Sequence, residues 1–438
     1  MPAPDDEPRT DDRPTTNIGG DLIGGNQINA QGSQGYIGQA QTVTQNFIRT
    51  DAPAPPLVPA CPQPNAARLF GRDAILTELV NRLIGGAEAV AISAVRGLPG
   101  VGKSDLLRAV GNDARITVYF HGGVLYAELG PAPDPSQWLR RWLVALGSEP
   151  PRSDDAETLA GALRAALAPR RSLLILDDVW DAGLRAAKLL RDCGSPDCRA
   201  LASSRSPRIA QEVAKGAPPL ALDVLEAVPA LALLRQSARD GDADVVARDE
   251  AGAAELVAAL GGLPLALKLA GGWLRANHRQ PRYRAKPSTG LLKVWRAQLA
   301  ELRGDEAHPG LTDEKLSLDA IIGLSYAALP DDATRAAAAL AAFGATPLDW
   351  DWDALAAVWA TDEETTATRE QALVASGLLD YDVESERYSL HQTVEAFLAL
   401  RAEPAAYERH AAYYAALMQR CNQEIKQEST IDAALATL

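Results

Sequence analysis

The sequence is poor in cysteine, in aromatic side chains and in excess positive charge, and it lacks any long apolar run. Four cysteines in 438 residues, Cys61, Cys193, Cys198 and Cys421, show no C-x-x-C spacing. The five histidines do not gather beside them, so neither a zinc site nor a disulfide framework is indicated and reduced thiols are expected. Aromatics make up only 5%, and the apolar set is dominated by alanine and leucine, which favours helices over β-sandwiches. Asp and Glu number 57 against 43 Lys and Arg, a formal charge of −14. That balance argues against an electrostatic footprint for nucleic acid or anionic lipid, so any bound phosphate has to be held by local geometry. No stretch approaches the roughly 18 apolar residues of a membrane span. The first ten residues, MPAPDDEPRT, are acidic and Pro-rich where a signal peptide is basic and then apolar. A cytoplasmic chain without membrane or nucleic-acid partners is expected.

What is present divides along the chain. At 438 residues, domains of roughly 100–200 residues give two to four units. Residues 1–16 have a composition that cannot offset the entropy of ordering and read as a disordered tail. Residues 17–49 are rich in Gly, Asn and Gln, are uncharged from Leu22 to Ile48, and space Ile18, Ile23 and Ile28 five apart. They read either as a polar linker or as an amyloid-like signalling motif that stacks between chains as cross-β. Residues 50–66 form a Pro-rich spacer. From 67 to 219 strands alternate with helices, the pattern of a parallel sheet covered on both faces. Strands are expected at AVAIS (89–93), ITVYF (116–120), GVLYAEL (123–129), SLLILDDVW (172–180) and CRALASS (198–204). Beyond Pro219 strand signals fade and a helical domain is expected over 220–312. Short helices and a hairpin (377–392) suggest a winged helix over 313–400. The end, 401–438, reads as an amphipathic helix running on without a stop signal.

The strongest local signal is Gly97-Leu98-Pro99-Gly100-Val101-Gly102-Lys103-Ser104, which satisfies G-x-x-x-x-G-K-[ST] between an expected strand and an expected helix. The glycines let the backbone curl so that several N–H groups and the positive end of the next helix face a phosphate. Lys103 is expected at the β- and γ-phosphates and the Ser104 hydroxyl at Mg²⁺. About 75 residues later an apolar strand ends in Asp177 and Asp178. Asp177 is assigned to the metal, directly or through water, and Asp178 to orienting the hydrolytic water; a helix cap or turn is the plainer reading. Arg205 ends the next apolar run and is a candidate γ-phosphate sensor beside Asp177, or else a solvated ion-pair partner.

Taken in order, LFGRD (69–73), GLPGVGKS (97–104), LLILDDVW (173–180), SSR (203–205), GGLPLAL (261–267), LSYAALP (324–330) and YSLHQ (388–392) resemble the NB-ARC family of signal-transduction ATPases. That family includes plant disease-resistance proteins, apoptotic-protease activators and bacterial regulators, and the resemblance covers about Leu69 to Leu400. It implies an α/β P-loop NTPase domain followed by an all-helical domain and a winged-helix domain, with ADP or ATP clamped between them. It places Phe70, Gly71, Arg72 and Pro264 at the adenine and His391 at the β-phosphate of ADP. Read from their residue types alone, Pro264 simply starts a helix and His391 is an ordinary surface or core histidine. Two positions depart from the family pattern. Gln392 stands where Asp is common, and Asp105 follows Ser104 where Thr, Ser or Ala is usual near the α-phosphate.

The expectation is a switch: ADP holds the units closed, ATP·Mg²⁺ opens them to self-association, and slow hydrolysis resets the chain. Residues 17–49 would then recruit an effector. A conventional ATPase acting on a small molecule and a winged-helix transcriptional regulator are the alternatives. The trigger is expected to act through a C-terminal repeat array or a separate partner.

Overall fold

The computed structural model describes residues 61–62, 69–94, 99–304, 313–344, 349–383 and 385–426. The tail, residues 17–49, most of the Pro-rich spacer, and Gly97 and Leu98 of the phosphate loop lie outside the described residues.

The α/β half opens with α1 (Asp73–Ile84), which buries Leu79, Val80 and Leu83, and leads into β1 (Ala89–Ala94), buried at every position. After the phosphate loop come α2 (Lys103–Gly111), α3 (Ala114–Tyr119) and β2 (Val124–Gly130). Helices α4 (Pro135–Ala145) and α5 (Ala156–Leu167) precede β3 (Leu173–Val179), again wholly buried. Then follow α6 (Leu184–Arg191), β4 (Arg199–Ser204), α7 (Pro207–Val213) and β5 (Leu220–Leu222). The five strands form one sheet in the order β2-β3-β4-β1-β5, and every pairing is parallel. Unbroken apolar strands such as LLIL in β3 fit a sheet covered on both faces. One face packs on α4 to α7 through Leu139, Leu163, Leu190 and Ile209. The other joins a continuous core running from Ile92, Leu106 and Ile175 to Leu267, Ile321, Leu355 and Leu398. Inserting β4 between β1 and β3 brings the end of the Arg205 strand beside the end of the acidic strand, as the sequence reading expects.

Two elements differ from the sequence reading. ITVYF (116–120) is not a strand: its residues lie in α3 and the turn after it. The Asp113 carboxylate caps α3 by accepting from the Arg115 N–H at 2.9 Å, while Ile116 and Phe120 are buried four residues apart and Val118 between them is 80% exposed. A local cap and two side chains buried at helical spacing outweigh β-propensity, which reflects packing more than backbone preference. Strand signals also do not stop at Pro219. Strand β5 pairs Ile92 with Leu220 and Ala94 with Leu222, but with three residues behind two prolines it carries no periodicity to read.

The second half is mainly helical: α8 (Ala227–Ser237), α9 (Glu250–Ala259), α10 (Pro264–Asn277), α11 (Pro287–Gly304), α12 (Asp313–Ala327) and α13 (Asp331–Ala339). A short strand β6 (Asp349–Trp350), α14 (Trp352–Trp359), α15 (Glu363–Ser376), β7 (Asp380–Asp382), β8 (Arg387–Ser389), α16 (Gln392–Ala399) and α17 (Pro404–Lys426) complete it. The expected hairpin is there as β7 and β8, with β6 added on the far side of β8 to make a three-stranded antiparallel sheet.

Candidate functional site

The phosphate loop is shaped by two left-handed glycines. Gly100 has φ +75° and Gly102 has φ +91°, conformations that a Cβ would strain. Gly102 caps α2, whose unpaired N-terminal N–H groups and dipole favour an anion. Lys103 begins that helix and is only 7% exposed. It makes no hydrogen bond or ion pair among the described residues, and burial followed by the nearby Arg205 lowers its pKa. An unpaired ammonium so far from water is costly, and a phosphate chain is the group that would satisfy it. The residues present therefore fit a nucleotide.

Both flanking motifs grip the loop backbone. Arg72 donates to the carbonyls of Val101 at 3.2 Å and Asp223 at 2.7 Å. Gly71 has φ +62°, and a Cβ there would meet Pro229 at 2.8 Å. From the other side Pro264 opens α10 in its first turn, and the next residue, Leu265, donates its N–H to the Gly100 carbonyl at 3.2 Å. A Cβ on Gly100 would fall 2.7 Å from the Leu265 Cβ. Phe70, Pro99, Ser104 and Pro264 are partly buried, and Val101 is buried. Expected adenine-side and phosphate-side residues thus meet on one loop.

At the ends of β3 and β4 the acidic pair has two different environments. Asp177 is fully buried; its carboxylate accepts from the Tyr126 hydroxyl at 2.6 Å, the Asp178 N–H at 2.9 Å and the Ser203 hydroxyl. Burial, then Asp177, pushes the Tyr126 pKa well above the usual phenol value, so the phenol stays a donor. Asp178 has φ +49°, a conformation that turns its side chain away from the strand alternation and is sparsely populated outside glycine. Its carboxylate accepts from the Trp180 indole at 2.7 Å and lies 3.5 Å from Arg205. The Arg205 guanidinium in turn sits 4.9 Å from the centre of the Trp180 ring.

The second half reaches into this cluster from the start of α16. Gln392 donates through Nε2 to the Asp178 carboxylate at 2.7 Å and accepts at Oε1 from Arg205. One side-chain amide therefore bridges both residues assigned to hydrolysis. His391 caps α16, its Nδ1 accepting from the Thr393 N–H at 3.1 Å. Burial, then Arg205, Lys103 and Lys268, drops its pKa to about 4. Near neutral pH the imidazole is uncharged, and with Nδ1 accepting, the proton sits on Nε2, where it can be donated.

Asp105 also finds its place. The Lys268 ammonium of α10 lies 3.7 Å from its carboxylate. Burial pulls the Lys268 pKa down, but Asp105 and then Asp380 of β7 outweigh it and raise it. Burial raises the Asp380 pKa, with Lys268 opposing and Asp105 adding to the rise. A lysine thus lies between carboxylates from the phosphate-loop helix and the small sheet, so Asp105 serves this junction. Sequence reading missed Tyr126, Ser203, Trp180, Lys268 and Asp380. Only Ser203 and Trp180 left a signal, as members of the quoted motifs SSR (203–205) and LLILDDVW (173–180). Among the described residues no group of three His, Cys, Asp or Glu side chains could hold a metal. No described helix is long and apolar enough to cross a membrane.

Comparison with known proteins agrees with this geometry. Residues 72–244 match the NB-ARC domain. Over 364 residues the chain is 33% identical to the regulatory protein AfsR of Streptomyces griseus, an alignment covering 81% of this chain and 34% of that protein. Over 225 residues it is 26% identical to the putative disease resistance protein RGA4 of Solanum bulbocastanum, covering 49% of this chain and 22% of the relative. The chain spans about a third or less of the length of these curated relatives. A crystal structure of a STAND (Signal Transduction ATPase with Numerous Domains) protein with a tetratricopeptide repeat sensor, from Pyrococcus horikoshii, shares the fold. It has a TM-score of 0.50 and 13% identity over 82% of this chain and 46% of that one. The glycine-shaped loop, the parallel sheet order and the domain match together identify residues 72–244 as an NB-ARC domain with a P-loop NTPase fold.

Proposed function

We propose that the chain is a nucleotide-dependent switch in signalling or defence, at rest with ADP and active with ATP. The observation that carries this reading is the Gln392 bridge. A residue of the C-terminal half occupies Asp178 and Arg205 together, so whatever engages those two side chains competes with the contact that holds the halves shut.

In the resting state the loop amides and Lys103 hold the β-phosphate and the Nε2–H of His391 donates to it. Phe70, Gly71, Arg72 and Pro264 border the base. Exchange for ATP brings a γ-phosphate that draws Arg205 away from Gln392 and so favours the open state by differential contact, which is all a ligand can do to an equilibrium. Ser104 would be a ligand of Mg²⁺ and Asp177, whose oxygens already serve three donors, would act on it through water; the ion would supply charge neutralisation to the phosphates. Asp178 orients the hydrolytic water only when released from Gln392, which makes turnover slow and suited to a reset. The opened chain self-associates, and residues 17–49 seed recruitment of an effector. The names of the relatives, a regulatory protein and disease resistance proteins, are in keeping with that role.

The test is to denature the purified protein and identify the nucleotide it releases, then to follow its mass by light scattering with ATP or ADP. Retained ADP and growth in mass only with ATP support the reading. An empty site with turnover of several per second points instead to a conventional ATPase.

A further inference from the structure

We propose that the C-terminal helices carry a second anion site that takes a compact phosphorylated molecule. Four arginines from separate elements line one cavity of about 310 Å³: Arg335 of α13, Arg369 of α15, Arg401 in the turn before α17, and Arg409 of α17. None of them contacts the nucleotide site. The volume lies at the small end of ligand pockets, roughly 300–1,000 Å³.

The arginines are unequally satisfied. Arg369 is held by Asp332 through two bonds of 2.7 Å. Arg335 reaches the same carboxylate only at 3.5 Å, and its side chain is 72% exposed. Arg401 donates to the Phe397 carbonyl at 2.7 Å and stacks 3.6 Å from the Phe397 ring centre, with no carboxylate partner among the described residues. Arg409 donates Nε to the Val358 carbonyl at 2.5 Å and likewise has no carboxylate partner there. A guanidinium carries five donors in a fork that matches phosphate oxygens two at a time, so Arg401 and Arg409 keep most of theirs. Glu403 is the one acidic residue lining the cavity. Counting it with Asp332, the cluster keeps an excess of two positive charges in a chain of formal charge −14.

Gathering like charges in this way is unfavourable unless an anion joins them, and phosphate suits planar forks arriving from several directions. Tyr326 and Trp359 also line the cavity, together with alanines of α13 and α17, offering apolar surface to a small organic body. Because the arginines come from α13, α15, the turn after α16 and α17, a bound phosphate would tie the last helix to the elements before it.

The probe is inorganic pyrophosphate, titrated calorimetrically into the full chain in saturating ADP without Mg²⁺, so that the phosphate loop is filled. One-site binding that survives ADP, weakens with salt and falls at least about tenfold in Arg335→Gln/Arg401→Gln is expected, with ADP retention unchanged. Should that double variant not fold, Arg335→Gln alone, on an exposed side chain, is expected to weaken binding about threefold. Binding abolished by ADP, affinity unaltered in the variants, or citrate bound as tightly as pyrophosphate would each overturn the proposal.

Discussion

Replacing Gln392 with Ala isolates the contact between the halves of the protein at Asp178 and Arg205. The substitution removes one hydrogen bond to a carboxylate and one from a guanidinium. Hydrogen bonds to charged groups contribute about 1.5–3 kcal/mol each when buried. The Arg205 side chain is 30% exposed and that of Asp178 9%, so the Arg205 bond is worth less than this. Asp178 also keeps the Trp180 indole and the nearby Arg205. A net loss of about 2 kcal/mol follows, which is about thirtyfold in the equilibrium between closed and open forms. Displacement of a fluorescent ADP by excess unlabelled nucleotide tests this, because in the proposed switch the closed form opens before ADP leaves. Release is expected to accelerate by about ten- to thirtyfold, with the phosphate loop itself intact. Gln392→Glu keeps an acceptor for Arg205 but sets a second carboxylate against Asp178, so it should accelerate release as well. Release within twofold of wild type in both variants would refute the argument that Gln392 holds the halves together.

Three further outcomes are expected. Gly100→Ala combines a φ of +75° with a 2.7 Å approach to Leu265, so urea titration should show a loss of about 2–4 kcal/mol together with weakened nucleotide binding. His391 has a folded pKa depressed to about 4 from 6.5, so the unfolded chain binds a proton that the folded chain refuses; stability is full above about pH 6.5 and declines toward pH 4. At pH 5 its share is at most about 2 kcal/mol, and urea titrations at pH 7 and 5 should show this part of the decline missing in His391→Gln. Lys268→Met takes away the cation nearest Asp105 and felt by Asp380, leaving Arg108 as a more distant positive charge, and should cost about 2 kcal/mol, discounted for partial exposure; adding Asp105→Asn should restore most of it in the same urea assay, whereas a purely additive double variant would contradict the junction.

The framework of the nucleotide half was legible because its signals are local. The phosphate loop, the apolar run ending in Asp177 and Asp178, and the run ending at Arg205 each announce both an element and its end. Where the sequence reading failed, the deciding interaction lay elsewhere. Ile116 to Phe120 looks like a strand until Asp113 caps the turn before it, and β5 is too short to show alternation. The partners at the site were illegible for a deeper reason. Tyr126 meets Asp177 across 51 residues, and Gln392 meets Asp178 across 214; no spacing rule connects such positions. Gln392 and Asp105 were visible only as departures from a family pattern. The structure gives each a partner from the other half of the protein, so both departures fall on the same seam.

The Leu265 amide bonded to the Gly100 carbonyl has an experimental use. Its proton is held by an atom of the phosphate loop and not by a turn of its own helix, so it exchanges with solvent only when α10 and the loop part. That single amide is a built-in clock for separation of the two halves, and its deuterium uptake could be timed with each nucleotide without altering a residue.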